Sequence, residues 1–354
     1  MIRVLVVDDS AVVRKVLTEE LSKYDDIEVV GSAIDPYVAR DKILKLEPDV
    51  LTLDIEMPRM DGLTFLSHLM RQYPLPVVIL SSLTPRNSET ALKALRMGAV
   101  EVLAKPDSRY STPDSQHLAG VIRAAARARV KKVQHGDASP GDLGGVTQGL
   151  IGVETTHKVL AIGASTGGTN TIEAIMRVLP ATTPGTVIVQ HMPPDFTRIF
   201  AERLNSVCEL RVKEARDLDV VVPGVVLVAP GGFHMLLERS GAQYRVRIKD
   251  GPKVHYQRPA VDVLFYSVAR NAGPNATGVI LTGMGADGAK GLLAMKQAGA
   301  RTIAQDEESS VVFGMPKEAI RLGAAEKILS LSKIPAGILQ SFSSRRSPES
   351  PVAC

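Results

Sequence analysis

Short runs of aliphatic and β-branched residues recur along this chain, each followed by a stretch whose apolar positions have helical spacing. In the first third the runs are "RVLVV" (3–7), "IEVVGSA" (27–33), "DVLTLD" (49–54), "PVVILSS" (76–82) and "VEVLAK" (100–105). Helical patterns follow at 10–23, at 36–46, near 61–71, near 87–97 and near 115–131. Strands separated by helices pair in parallel, and the returning helices cover both faces of the sheet. The pattern therefore predicts a doubly wound α/β fold, in which ligands bind at the carboxyl ends of the strands near a topological switch point.

A second series begins at 158, with "KVLAIG" (158–163), "GTVIVQ" (185–190), "VVLVAP" (225–230), "TGVILTG" (277–283) and "RTIAQ" (301–305). Helical patterns stand at 168–179, 195–206 and 287–298, and "HMLLERSGAQYRVRIKD" (234–250) reads as a hairpin around Ser240-Gly241. Residues 132–157 carry Gly, Ser, Pro and Asp without sustained periodicity and read as a linker. A chain of 354 residues exceeds what one hydrophobic core usually serves. The expected organisation is thus two doubly wound domains, 1–131 and 158–345, with a disordered polar tail at 346–354. Upstream of the linker lie Arg123, Arg127, Arg129, Lys131 and Lys132, with no acid between Asp114 and Asp137. Such a run is either a solvated helix end, where the dipole favours cations, or a contact surface for a partner or the other domain.

Composition excludes several classes. With 42 basic and 38 acidic residues the net charge is +4, too mild to argue for nucleic-acid binding. Only Cys208 and Cys354 occur, so a disulfide framework is not expected and a reducing cytoplasm is the simpler setting. The N-terminus is no signal peptide, and no run approaches the roughly 20 apolar residues of a membrane span. A cytoplasmic monomer without membrane insertion is the expectation.

Acidic residues end two strands of the first domain: Asp8 and Asp9 follow the first, and Asp54 closes the third. An aspartate after a strand is, taken singly, most often a helix cap. Three carboxylates at one sheet edge would repel without a cation, and hard oxygen ligands suit Mg²⁺. The Ser81 hydroxyl and the Lys105 ammonium end the fourth and fifth strands. Together these groups make a phosphoryl-acceptor site with Asp54 as nucleophile. The segments "VVDDS", "LTLDIEMPRMDG", "VVILSS" and "LAKP" resemble, in order and spacing, the receiver domain of two-component response regulators, a flavodoxin-like fold. The resemblance, over residues 1 to about 128, implies that a partner histidine kinase phosphorylates Asp54. It also implies that Asp8, Asp9, Asp54 and the Glu56 backbone carbonyl serve Mg²⁺, and that Ser81 and Lys105 read the phosphate.

In the second domain Ser165 follows "VLAIGA", His191 follows "TVIVQ" and Asp287 follows "VILTGMGA". If those strands are parallel neighbours the three side chains meet, as a Ser–His–Asp triad requires. Each has a plainer reading: Ser165 as a helix N-cap, His191 as a satisfied buried histidine, Asp287 as the cap of the next helix. "GASTG" fits the nucleophile-elbow pattern of α/β-hydrolases, but their order Ser…Asp…His is absent. Neither a P-loop nor a dinucleotide fingerprint is present. Backbone N–H groups of Thr166 and Gly167 could approach an anionic oxygen. Cys208 reads as core within a helix, and His234 and His255 lack a third zinc ligand at sensible spacing.

The segments "IGASTGGT", "QHMPPDFTRIFAERLN", "APGGFHM", "DGPKVHYQRPAVDVLFYSVA", "VILTGMGADGAKGL" and "TIAQDEESSVVFGMPKEAI" resemble, from 158 to about 323, the chemotaxis protein-glutamate methylesterases. These join a receiver to a Rossmann-like methylesterase domain. The resemblance implies Ser165, His191 and Asp287 as the triad, a Met284 amide at the oxyanion, and no cofactor for hydrolysis. It also implies demethylation of glutamate γ-methyl esters and deamidation of glutamines on cytoplasmic helices of methyl-accepting chemoreceptors. Ala286 stands where relatives often have Asn. Two rival outputs remain, a nucleic-acid-binding domain and a non-catalytic adaptor; 158–345 offers no basic recognition helix for the former.

Overall fold

A computed structural model describes residues 1–82, 84–105, 115–130 and 157–342. The tail and all of the linker but His157 lie outside these residues. The first half alternates β1 (Ile2–Val7), α1 (Ala11–Leu21), β2 (Ile27–Ala33), α2 (Pro36–Leu46) and β3 (Val50–Asp54). It continues with α3 (Gly62–Gln72), β4 (Val77–Ser81), α4 (Pro85–Arg96), β5 (Glu101–Ala104) and α5 (Ser115–Ala126). Local signals start these helices: Ser10, Asp35, Asp61 and Thr84 each cap one by accepting a backbone N–H, and Pro36 takes the first turn of α2. The all-parallel sheet runs β2-β1-β3-β4-β5, the flavodoxin-like order, so β1 and β3 flank the switch point and β5 is an edge.

The second half opens with β6 (Val159–Ala164), α6 (Gly168–Met176), β7 (Gly185–Gln190) and α7 (Phe196–Val207). Then come β8 (Arg211–Glu214), β9 (Val220–Val221), β10 (Val225–Val228), β11 (His234–Ser240), β12 (Gln243–Lys249) and α8 (Val261–Asn271). It closes with β13 (Ala276–Ile280), α9 (Ala289–Gln297), β14 (Arg301–Gln305), α10 (Met315–Arg321), β15 (Lys327–Leu329) and α11 (Ile334–Phe342). Seven parallel strands take the order β15-β14-β13-β6-β7-β10-β8, while β11, β12 and β9 form a small antiparallel sheet. The chain order reverses between β6 and β13, which makes that crevice the switch point of the second sheet.

Both βα series stand as expected, and so does the hairpin, whose loop is Gly241-Ala242. Two expectations shift: α5 ends at Ala126, and Cys208 caps the end of α7 instead of lying inside it. Burial pushes the Cys208 thiol up to about 11, so it is no nucleophile. The strands β8, β9 and β15 and the helices α8, α10 and α11 lie outside the elements expected from the sequence. α8 matters most, because its first residue Val261 packs against β6 where Gly163 leaves room. A Cβ at Gly163 would lie 2.2 Å from Val261 Cγ1. Gly163→Ala should therefore cost about 1–3 kcal/mol and lower the thermal midpoint of the second half by roughly 2–12 °C. An unchanged midpoint in calorimetry would contradict that contact.

Candidate active site

At the carboxyl edge of the first sheet Asp8 and Asp54 are buried, Asp9 is exposed, and the three carboxylates come within 4.8 Å of one another. Lys105 Nζ lies 2.6 Å from Asp54 Oδ2 and 3.1 Å from Asp8 Oδ2. These two buried oxygens nevertheless lack a well-directed hydrogen bond. Burial pushes the Asp54 carboxyl up to about 6, with Asp8 adding to the rise and Lys105 and the Glu56 amide opposing it. A site so rich in oxygen and short of positive charge fits a hard divalent cation. The buried Ser81 hydroxyl shares its proton between the carbonyls of Ser82 and Asn87, at 3.3 and 3.4 Å.

In the second sheet β6 has β7 on one side and β13 on the other, so Ser165, His191 and Asp287 emerge from neighbouring strand ends. His191 Nε2 donates to Asp287 Oδ2 at 2.8 Å, with both side chains buried. Asp287 also accepts from the Val261 amide (2.7 Å) and the Asp262 amide (2.9 Å), the first N–H groups of α8. Burial alone would raise its carboxyl, but the bonds from His191 and those two amides outweigh burial and hold it below the usual range. Asp287 is thus a cap, though of α8 and not of the following helix, which starts after Gly288. Ser165 is no cap, because α6 begins after Gly167 and has no side-chain cap.

Backbone contacts fix the serine. Ser165 N donates to Thr282 O, the Gln190 amide donates to Ser165 O, and Thr282 Oγ1 donates to Thr166 O. Gly167 adopts φ 77°, with Val311 filling the space of a Cβ. Among the described residues, the amides of Thr166, Gly167 and Met284 donate to no backbone carbonyl. That leaves them available to an anionic oxygen.

The first half closes over this mouth. Glu101 Oε2 accepts from Thr166 Oγ1 at 2.6 Å, and Asn170 Nδ2 donates to Leu95 O at 3.0 Å. A Cβ on Gly120 of α5 would lie 2.9 Å from Met284 Cε, so that side chain rests on the helix. The basic run divides: Arg123 pairs with Asp26 at 2.6 Å within its own half, whereas Arg129 lies 3.6 Å from Glu307 across the boundary. Arg129 N also donates to Val311 O. Lys131 and Lys132 fall outside the described residues.

Comparison with known proteins matches each half of the chain to a family. The response regulator receiver domain family matches residues 4–111, and the CheB methylesterase family matches 160–338. A protein-glutamate methylesterase/protein-glutamine glutaminase of Syntrophus aciditrophicus is 61% identical over 94% of this chain and 97% of its own length. One from Salmonella typhimurium is 52% identical over 97% of each. The CheB methylesterase catalytic domain of Thermotoga maritima superposes with a TM-score of 0.51 at 42% identity, covering 52% of this chain and 98% of its own. The chain belongs to the CheB methylesterase family.

Within that methylesterase half, spacing along the sequence hid a cluster. His255 Nε2 donates to Asp262 Oδ2 at 3.1 Å, and both residues stand within 4.8 Å of Asp287. A third metal-ligating side chain therefore does lie near His255, brought in by the fold. Asp262 Oδ1 accepts from Gly291 N and the Asp287 oxygens are engaged as above, so the cluster braces Asp287. Thr166 and Glu101 are likewise invisible as a pair, being 65 residues apart.

A carboxyl held low in the native state stabilises it above the unfolded-state pKa, and that contribution is lost as pH falls through the native value. Asp287→Asn should accordingly lose less stability than the parent between about pH 5 and pH 3 in denaturant titrations. Equal losses would contradict the charged hub.

Proposed function

We propose that this chain is a phosphorylation-gated serine hydrolase that removes methyl groups from glutamate γ-methyl esters on chemoreceptor helices and deamidates receptor glutamines. Its two working parts are a receiver over residues 1–131 and a methylesterase domain over 158–345, acting in the cytoplasm as a monomer. The observation that carries the reading is the His191–Asp287 bond at 2.8 Å, formed at strand ends on either side of the strand that delivers Ser165.

Asp287 engages Nε2, which leaves Nδ1 of His191 to take the Ser165 proton. The Ser165 oxygen attacks the γ-carbonyl carbon, and the amides of Thr166, Gly167 and Met284 receive the developing oxyanion. His191 returns its proton to the departing methoxide, and methanol leaves. Water, losing a proton to His191, then opens the acyl-enzyme and frees the glutamate carboxylate and Ser165. With a glutamine substrate ammonia departs instead, and the acyl-enzyme is the same.

Asp54 accepts a phosphoryl group from a histidine kinase, and Ser81 and Lys105 read it. Asp8, Asp9 and Asp54, with the Glu56 carbonyl, would hold Mg²⁺, which when bound supplies positive charge against the phosphoryl oxygens. Phosphorylation replaces the single Asp54 charge with an acyl phosphate of about two negative charges beside Lys105, which without it is shared between Asp8 and Asp54. Rearrangement there loosens the packing of α4, β5 and α5 on the catalytic mouth. Among the described residues no basic element favours a nucleic-acid output.

Methanol release from methylated receptor membranes tests both parts. Ser165→Ala should abolish release, and Asp287→Asn should lower kcat by on the order of 10³–10⁴. With Asp54→Asn a phosphodonor should no longer raise the rate. Release that survives Ser165→Ala would refute the mechanism, and a rate indifferent to phosphodonor in the parent would refute the gate.

A further inference from the structure

The residue that the receiver presents to the catalytic mouth has the same side chain as the reaction product. Glu101 opens the edge strand β5, and its carboxylate accepts from the hydroxyl of Thr166, the residue after the proposed nucleophile. Its other oxygen accepts from the Val102 amide at 3.1 Å. Burial holds the Glu101 carboxyl above its usual range, against the opposing pull of Thr166, the Val102 amide and nearby His191. The cavity that Glu101 shares with Ser165 and His191 measures about 10 Å³, room for roughly one water and no substrate side chain. The same Glu101, Ser165 and His191, with Thr166, also line a groove of about 580 Å³ between the halves that leads past Lys253, Tyr256 and Arg258, so the mouth is narrowed at Glu101 and open on that side.

We propose that Thr166 Oγ1 is the group that grips the substrate's γ-carboxyl function, and that Glu101 fills this subsite as a built-in copy of the product. The proposal rests on the methylesterase reading and adds to it a specificity-determining hydroxyl and a chemical reason for the closure. A plug working by bulk alone needs no acceptor, yet Glu101 offers the two oxygens and two-methylene stem of a hydrolysed substrate. Thr166 donates to a carboxylate in the product and to the carbonyl oxygen of the ester before attack. Glu101 stands four residues before Lys105 on one strand, roughly 13 Å away, so a shift of Lys105 toward a phosphate draws on the same backbone.

The test uses the full chain and methylated receptor membranes. Without phosphodonor, Glu101→Ala and Glu101→Leu should both release methanol roughly tenfold faster than the parent, the loss of one charge-assisted hydrogen bond. Their rates with phosphodonor should match the parent's, which also reports that they fold. Propionate, at ionic strength matched with chloride, should then inhibit Glu101→Ala by raising KM without lowering kcat, and leave the unphosphorylated parent unchanged. A Glu101→Leu variant as slow as the parent would show a plug by bulk and overturn the proposal, as would a Glu101→Ala indifferent to propionate. Absence of methanol release from the phosphorylated parent would refute the methylesterase reading itself, so the two failures are distinguishable.

Discussion

The carboxylate of Asp287 is where the catalytic half is tied together. It joins the end of β13 to His191 after β7 and to the first two amides of α8. Three N–H donors converge on one buried charge, and the positive end of the helix macrodipole points at it. Without α8 the aspartate would be a buried anion with one partner, a costly arrangement. With α8 the charge is stable, and its bond to Nε2 fixes the imidazole and leaves the second ring nitrogen outside that bond. The close approach of Gly163 to Val261 belongs to the same arrangement, since it sets how near the helix end can come to the sheet.

The two halves use the edge of a parallel sheet in different ways. In the receiver, Asp8, Asp54 and Lys105 gather charge at strand ends; in the methylesterase half, strand ends bring Ser165, His191 and Asp287 to one edge. β5 connects them, carrying Lys105 at the acidic cluster and Glu101 against Thr166. An edge strand suits this task, because one of its sides is free to face another domain. The surface ion pair Arg129–Glu307 adds little, being exposed and screened. The closure depends instead on the buried mouth, where Glu101 meets Thr166, the Leu95 carbonyl meets Asn170, and Gly120 lies against Met284.

Much of this was legible in the sequence. Period and strand-end chemistry located both sheets, the acidic cluster and the three catalytic candidates, because each lies next to a strand that announces itself by β-branched residues. The bland alternatives for Ser165 and Asp287 needed coordinates, since only they show α6 starting after Gly167 and Asp287 capping a helix that precedes it in the chain. What spacing could not reveal are contacts between distant segments. Asp262 and His255 reach Asp287 only through the fold, and Glu101 meets Thr166 only because two domains pack. Helix α10, only seven residues long, is too short for a period to stand out, whereas α8 does bury one face and expose Tyr266 and Arg270 on the other.

The central claim is that Ser165 is activated by the His191–Asp287 pair and shielded by the unphosphorylated receiver. The most direct measurement is the rate at which a fluorophosphonate labels the full chain, followed by intact mass and peptide mapping with and without a phosphodonor. The account predicts one adduct, on Ser165, formed faster when Asp54 is phosphorylated and lost in His191→Ala. Labelling that is equally fast in both states, or that falls on another residue, would contradict it.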